Sequence, residues 1–177
     1  LTLSFEVLTG PETHPNARVR SDLVAALAVA AGGRGMVGGQ MIDLESEHSE
    51  VGAELIARLE TMKTGALIAF SSSAGAILGE AGSDARDALE RFGLELGLAF
   101  QITDDLLDVE GDETDVGKAV GKDADAGKAT FVSALGSEGA RREARRVTDS
   151  ALARLDVFGT QADELRSVAE FVLARNS

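Results

Sequence analysis

Residues 100–108 read Phe-Gln-Ile-Thr-Asp-Asp-Leu-Leu-Asp, and they close a segment that predicts a long helix from about Asp84 to Glu110. Four polar side chains in this stretch are linked by steps of three and four residues: Gln101, Asp104, Asp105 and Asp108. Residues with that spacing are neighbours on one helix face. Leucine, isoleucine, alanine and phenylalanine fill most of the surrounding positions, and a helix that is apolar on nearly every other side is buried. The stretch therefore predicts a buried helix with a single polar stripe.

Three carboxylates on one stripe of a buried helix need a cation or a proton, because a buried unpaired charge is costly. Protonation does not neutralise all three near neutral pH, so a divalent metal is the simpler explanation. Oxygen-only ligands suit Mg²⁺, which binds one or two carboxylates together with substrate phosphates. The alternative is a solvated acidic face at the end of the helix.

The composition favours an all-α fold. Hydrophobic residues make up 44% of the 177 positions but aromatic residues only 4%, and Cys, Trp and Tyr do not occur. The two prolines, Pro11 and Pro15, both lie near the start, so none interrupts helix formation further along. Helices in pairwise contact, with a core of small aliphatic side chains, are the expected architecture.

Charge and hydropathy exclude several partners. The net charge of −13 argues against nucleic acid and anionic membrane surfaces. The uncharged segment Thr64–Gly79 is too short to span a bilayer, so no stable membrane insertion is expected. The absence of cysteine and of a visible signal peptide favours a cytoplasmic location.

The lysines are few and grouped. Only four occur, beside 13 arginines: Lys63 precedes Thr64-Gly65, and Lys118, Lys122 and Lys128 follow the aspartate stripe. A lysine ammonium is a good phosphate partner, so this grouping predicts a polyphosphate clamp. The alternative is that the last three merely neutralise an acidic loop.

A second polar pair, Gln40 and Asp43, lies three residues apart on a predicted glycine-rich helix. These side chains could reach a diphosphate, a substrate double bond or Lys63, or they could form a hydrogen bond within the core. The helical segments predicted along the chain are 1–8, a helix capped by Asn16 and closed by Gly32-Gly33, 35–44, 55–78, 84–110, 129–135, 138–155 and 162–174.

These motifs together resemble the trans-isoprenyl diphosphate synthases, the polyprenyl synthetase family that includes farnesyl and geranylgeranyl diphosphate synthases. The landmarks run in family order: Gly38-Gly39-Gln40-Met41-Ile42-Asp43, Lys63-Thr64-Gly65, the stretch 100–108, Gly117-Lys118, Gly121-Lys122-Asp123 and Lys128-Ala129-Thr130. The resemblance implies an all-α, isoprenoid synthase-type helical bundle with a central cavity. It also implies a cytoplasmic homodimer.

The resemblance further implies a prenyltransferase that condenses isopentenyl diphosphate with an allylic diphosphate to give a short-chain trans-prenyl diphosphate. Mg²⁺ would be the cofactor, with Mn²⁺ as a substitute, held by Asp104, Asp105 and Asp108. The catalytic residues by similarity are Lys63, Thr64, Gln101, Asp104 and Lys118. Those expected to bind substrate are Gln40, Asp43, Lys63, Thr64, Gln101, Lys118 and Lys128.

One departure from the family pattern is large. The family's first aspartate-rich motif, with its paired arginines, has no counterpart in these residues. Residues 1–177 are therefore expected to be the C-terminal part of a single polyprenyl synthetase domain, with N-terminal helices missing and no activity alone. Two other functions stay open, a class I terpene cyclase and a non-catalytic regulatory subunit of a prenyl synthase. The intact aspartates favour the enzyme.

Overall fold

The computed structural model describes residues 1–47, 51–110 and 130–175. Every regular element within these ranges is a helix: α1 (Thr2–Thr9), α2 (Ala17–Ala31), α3 (Met36–Ser46), α4 (Ala53–Glu60), a π-helical turn (Thr61–Gly65), α5 (Ala66–Leu78), α6 (Ser83–Glu110), α7 (Phe131–Arg154), a 3-10 segment (Asp156–Ala162) and α8 (Asp163–Ala174). The all-α prediction is confirmed. The segment 111–129, with Lys118, Lys122 and Lys128, lies outside the described residues.

Helix α6 is the central element, and its long apolar surface packs against α5 on one side and α7 on the other. Phe92, Ile102 and Leu106 of α6 are almost completely buried, as is Phe131 at the start of α7. Burying each such side chain contributes roughly 1.5–3 kcal/mol. This shared core therefore stabilises the packing of α6, the helix that carries the aspartate stripe. A smaller cluster joins α2 to α5 through Leu23 and Ile77.

The segment predicted as one helix over 55–78 contains a π-helical turn at Thr61–Gly65, between α4 and α5. In a π-helical turn the backbone hydrogen bonds join residues five apart rather than four, which the sequence pattern around Thr61-Met62-Lys63-Thr64 does not reveal. Such turns occur mostly as single insertions in α-helices and often at functional sites.

The predicted break between residues 135 and 138 is present in α7. Gly136 has φ 68° and ψ 162°, a backbone conformation inside the helix that is non-helical. This region of φ and ψ is open almost exclusively to glycine. The predicted Asn16 cap is also present, because its side chain accepts a hydrogen bond from Arg18 N at 2.9 Å.

Candidate functional site

The π-helical turn that carries Lys63 and Thr64 packs closely between α3 and α6, because a glycine lies at each contact. A Cβ atom placed on Gly39 of α3 would lie only 2.3 Å from Lys63 N. One placed on Gly97 of α6 would lie 2.6 Å from the Cα of Gly65. Contacts this short are impossible for any residue with a side chain, so glycine sets the distance between the three backbones. The glycines of α3 and α6 therefore permit close packing on both sides of the turn.

Lys63 and Asp43 form an ion pair across this junction. Lys63 Nζ donates to Asp43 Oδ2 at 2.5 Å, with 28% of the lysine side chain and 15% of the aspartate side chain exposed. Of the targets considered for Asp43, the structure therefore shows the contact with Lys63. Gln40, three residues earlier on α3, is half-buried. The pair keeps a cationic amine partly open to solvent, where an anionic ligand can reach it.

The same junction places the α6 stripe beside the π-turn. Gln101 follows Gly97 by four residues, so it lies one turn further along the same face of α6. Gln101 and Asp104 are partly exposed, whereas Asp108 is buried. The predicted site residues within the described ranges thus lie on three neighbouring elements, which are α3, the π-turn and α6.

Asp104 has a neighbour that the sequence did not predict. Arg175 follows α8, and its Nη2 lies 3.7 Å from Asp104 Oδ1. The Arg175 guanidinium also lies over the Phe100 ring, 4.7 Å from the ring centroid. Cation–π stacking adds to the ion pair in holding this side chain. A single arginine after the last helix has no spacing relation to the stripe, so the sequence contains no signal for this contact.

Asp105 faces a different element. Its Oδ2 accepts a hydrogen bond of 2.7 Å from Phe131 N, the first residue of α7, and the residue is only 4% exposed. Thr130 caps the same helix: its Oγ1 accepts from Ser133 N, and Ser133 Oγ accepts from Thr130 N. Adjacent aspartates on α6 therefore contact the end of α8 and the start of α7 respectively.

The donor chemistry of the stripe fits Mg²⁺ in kind, because carboxylate oxygens are the ligands this ion prefers. In residues 1–47, 51–110 and 130–175, however, no group of three or more His, Cys, Asp or Glu side chains is arranged to hold a metal ion. Asp104 and Asp108 lie four residues apart on α6. Lys118 and Lys128 lie outside the described residues.

The polyprenyl synthetase family model matches residues 10–169 of this chain. The chain belongs to the polyprenyl synthetase family. It is 37% identical to the farnesyl diphosphate synthases of Escherichia coli and Bacillus subtilis, over 99% of its own length in each case. It spans 60% of the length of those two relatives. The resemblance drawn from the motifs is confirmed.

Solved structures of the polyprenyl synthetase family share the fold. An FPP/GFPP synthase from Zymomonas mobilis superimposes with a TM-score of 0.84 at 47% identity, over 97% of this chain and 57% of that one. A polyprenyl synthetase from Streptomyces coelicolor gives 0.86 at 29% identity, over 97% and 63%. A geranyltransferase from Helicobacter pylori, complexed with magnesium and isoprenyl diphosphate, gives 0.81 at 30% identity, over 98% and 56%. The predicted isoprenoid synthase-type helical fold is confirmed.

None of the helices in the described part of the chain is both long and apolar enough to cross a membrane.

Proposed function

We propose that this chain provides the allylic diphosphate end of a short-chain trans-prenyltransferase active site. The observation that carries the proposal is the Lys63 ammonium, held by Asp43 on a π-turn that packs directly against the helix of the aspartate stripe. Family membership supports it, since the matched relatives are named farnesyl diphosphate synthases. The two substrates are an allylic diphosphate and isopentenyl diphosphate.

The reaction begins with heterolysis of the carbon–oxygen bond of the allylic diphosphate. The electron pair leaves with the diphosphate, so negative charge develops on oxygen while an allylic cation forms. The Lys63 ammonium, half-buried in a site of reduced dielectric, stabilises that developing charge. Thr64 and Gln101 present neutral polar groups beside the reacting carbons, which avoids placing a nucleophilic anion next to the cation.

The double bond of isopentenyl diphosphate then attacks the cation, and loss of a proton to the departed diphosphate completes the product. Asp104 and Asp108 would hold Mg²⁺, which supplies positive charge to the leaving group when bound. The Helicobacter pylori relative, described as complexed with magnesium and isoprenyl diphosphate, supports this choice of metal. Mn²⁺ as a substitute, the homodimer and the cytoplasmic location stay predictions.

The first experiment is the intact mass of the protein as its host produces it. That protein is then assayed with isopentenyl diphosphate and an allylic diphosphate, with and without Mg²⁺, and the prenyl products are sized. Condensation that needs Mg²⁺ is the expected result. Absence of any elongated product from an intact protein longer than these 177 residues would overturn the proposal.

Two substitutions test the roles proposed for Asp104 and Lys63. Asp104→Ala should lower turnover by at least about 100-fold, while the matched control Asp149→Ala, exposed on α7, should leave it unchanged. Lys63→Ala should raise the KM for the allylic diphosphate more than that for isopentenyl diphosphate. Equal effects on both substrates would contradict the placement of Lys63.

A further inference from the structure

Asp105 and Asp104 are adjacent in sequence, yet they point to different parts of the molecule. Successive residues of a helix project about 100° apart, and the contacts follow this rotation. Asp104 lies near Arg175 at the end of α8, whereas Asp105 Oδ2 accepts the amide hydrogen of Phe131 at the start of α7. The two carboxylates therefore differ in their surroundings, although the sequence pattern treats them alike.

The hydrogen bond from Phe131 N adds to the N-terminal cap of α7. The first amides of a helix have no partner within it. In α7, the Thr130–Ser133 pair satisfies the amides of Thr130 and Ser133, and Asp105 accepts from the amide of Phe131. A carboxylate at this position is also favoured by the positive end of the helix dipole. With Asp105 only 4% exposed, water competes little for this bond.

We infer that Asp105 is a positioning residue: it fastens the start of α7 to the turn of α6 that carries Asp104 and Asp108, rather than serving as a metal ligand. The Asp105 contact joins α6 to the start of α7 through residues that are 26 apart in sequence. The inference rests on the proposed function for its effect on catalysis, but the anchor itself can be tested separately.

Replacement by asparagine separates the two roles. The Asp105→Asn side chain keeps an oxygen that can accept the hydrogen bond from Phe131 N. It removes the negative charge that a metal ligand needs. Asp105→Ala removes both. Asp104→Asn serves as the reference for loss of a metal-binding carboxylate.

The first readout is Mn²⁺ binding in the presence of inorganic diphosphate, followed by electron paramagnetic resonance. Asp105→Asn should bind Mn²⁺ within about twofold of the parent protein, whereas Asp104→Asn should weaken binding roughly tenfold or more. Equal weakening by the two asparagine substitutions would overturn the inference. In the intact enzyme, Asp105→Ala should lower kcat, whereas Asp105→Asn should retain most of the parent kcat.

The second readout is hydrogen exchange at residues 131–134, which needs neither metal nor activity. Asp105→Ala should reduce protection there by roughly tenfold or more, and Asp105→Asn should retain it. Asn16→Ala, which removes the cap of α2, is the control and should leave residues 131–134 unchanged. Unchanged protection in Asp105→Ala would overturn the anchor. If the parent protein binds no Mn²⁺, the proposed function fails while the exchange result still decides the anchor.

Discussion

Lys63 Nζ lies 2.5 Å from Asp43 Oδ2, at the crossing where Gly39 leaves no space for a side chain beside the Lys63 backbone. The close backbone contact and the ion pair therefore support each other. A side chain at position 39 would push α3 away from the π-helical turn, and Lys63 could not reach Asp43 in the same geometry.

The Lys63–Asp43 pair should show measurable coupling in a double-mutant cycle. Lys63→Ala, Asp43→Asn and the double variant, compared by urea unfolding, should give a coupling free energy of about 1 kcal/mol, because both groups are partly desolvated. The Glu143–Arg146 pair on α7, in which the arginine side chain is 66% exposed, is the control, with about 0.3 kcal/mol expected. No coupling between Lys63 and Asp43 would contradict a stabilising contribution from the pair.

Gly39→Ala should lower the free energy of unfolding by about 1–3 kcal/mol, because the new methyl group would overlap the Lys63 backbone. Gly75→Ala is the matched control: Gly75 lies in α5 with nothing within 4 Å of an added Cβ. That change should raise the free energy of unfolding by about 0.5–1 kcal/mol, as expected for an open helical site. Both are measured by urea unfolding. Equal effects would contradict the close approach of α3 to Lys63.

Gly136→Ala should cost about 1–3 kcal/mol of stability, since φ 68° and ψ 162° are strained for any residue with a Cβ. No atom lies within 4 Å of a Cβ at this position, so the cost comes from backbone strain rather than from a clash. Chemical denaturation measures it, with Gly75→Ala again as the helical reference. A gain in stability would show that α7 runs straight through residue 136.

Arg175→Ala should loosen the last turn of α8. Loss of the Asp104 contact and of the stacking on Phe100 should increase hydrogen exchange at residues 171–174, with a change in global stability below about 1 kcal/mol. Arg175→Lys keeps the charge without the planar group, so its hydrogen exchange at residues 171–174 should lie between that of the parent protein and that of Arg175→Ala. Arg142→Ala, at an exposed position on α7, is the control. Unaltered exchange in Arg175→Ala would argue against the contact.

Several features were readable from the sequence because they depend on local or periodic properties. The helical spacing of Gln101, Asp104 and Asp108 on an otherwise apolar helix indicated a buried element with a polar stripe. The near absence of proline indicated an all-α fold. The family motifs indicated the polyprenyl synthetase family, which the matched family model and structures confirm.

The tertiary structure alone decided which partner each of these residues meets. The π-turn at Lys63, the Asp43 contact, the Arg175 contact with Asp104 and the Phe131 amide on Asp105 all join segments that are distant in sequence or altered in helical register. Periodicity assigns a side chain to a face of its own helix, but it carries no information about what packs on that face. That depends on how neighbouring helices cross. Here Gly39 and Gly97 set how closely α3 and α6 approach the Lys63 turn, whereas the end of α8 and the start of α7 give Asp104 and Asp105 different partners.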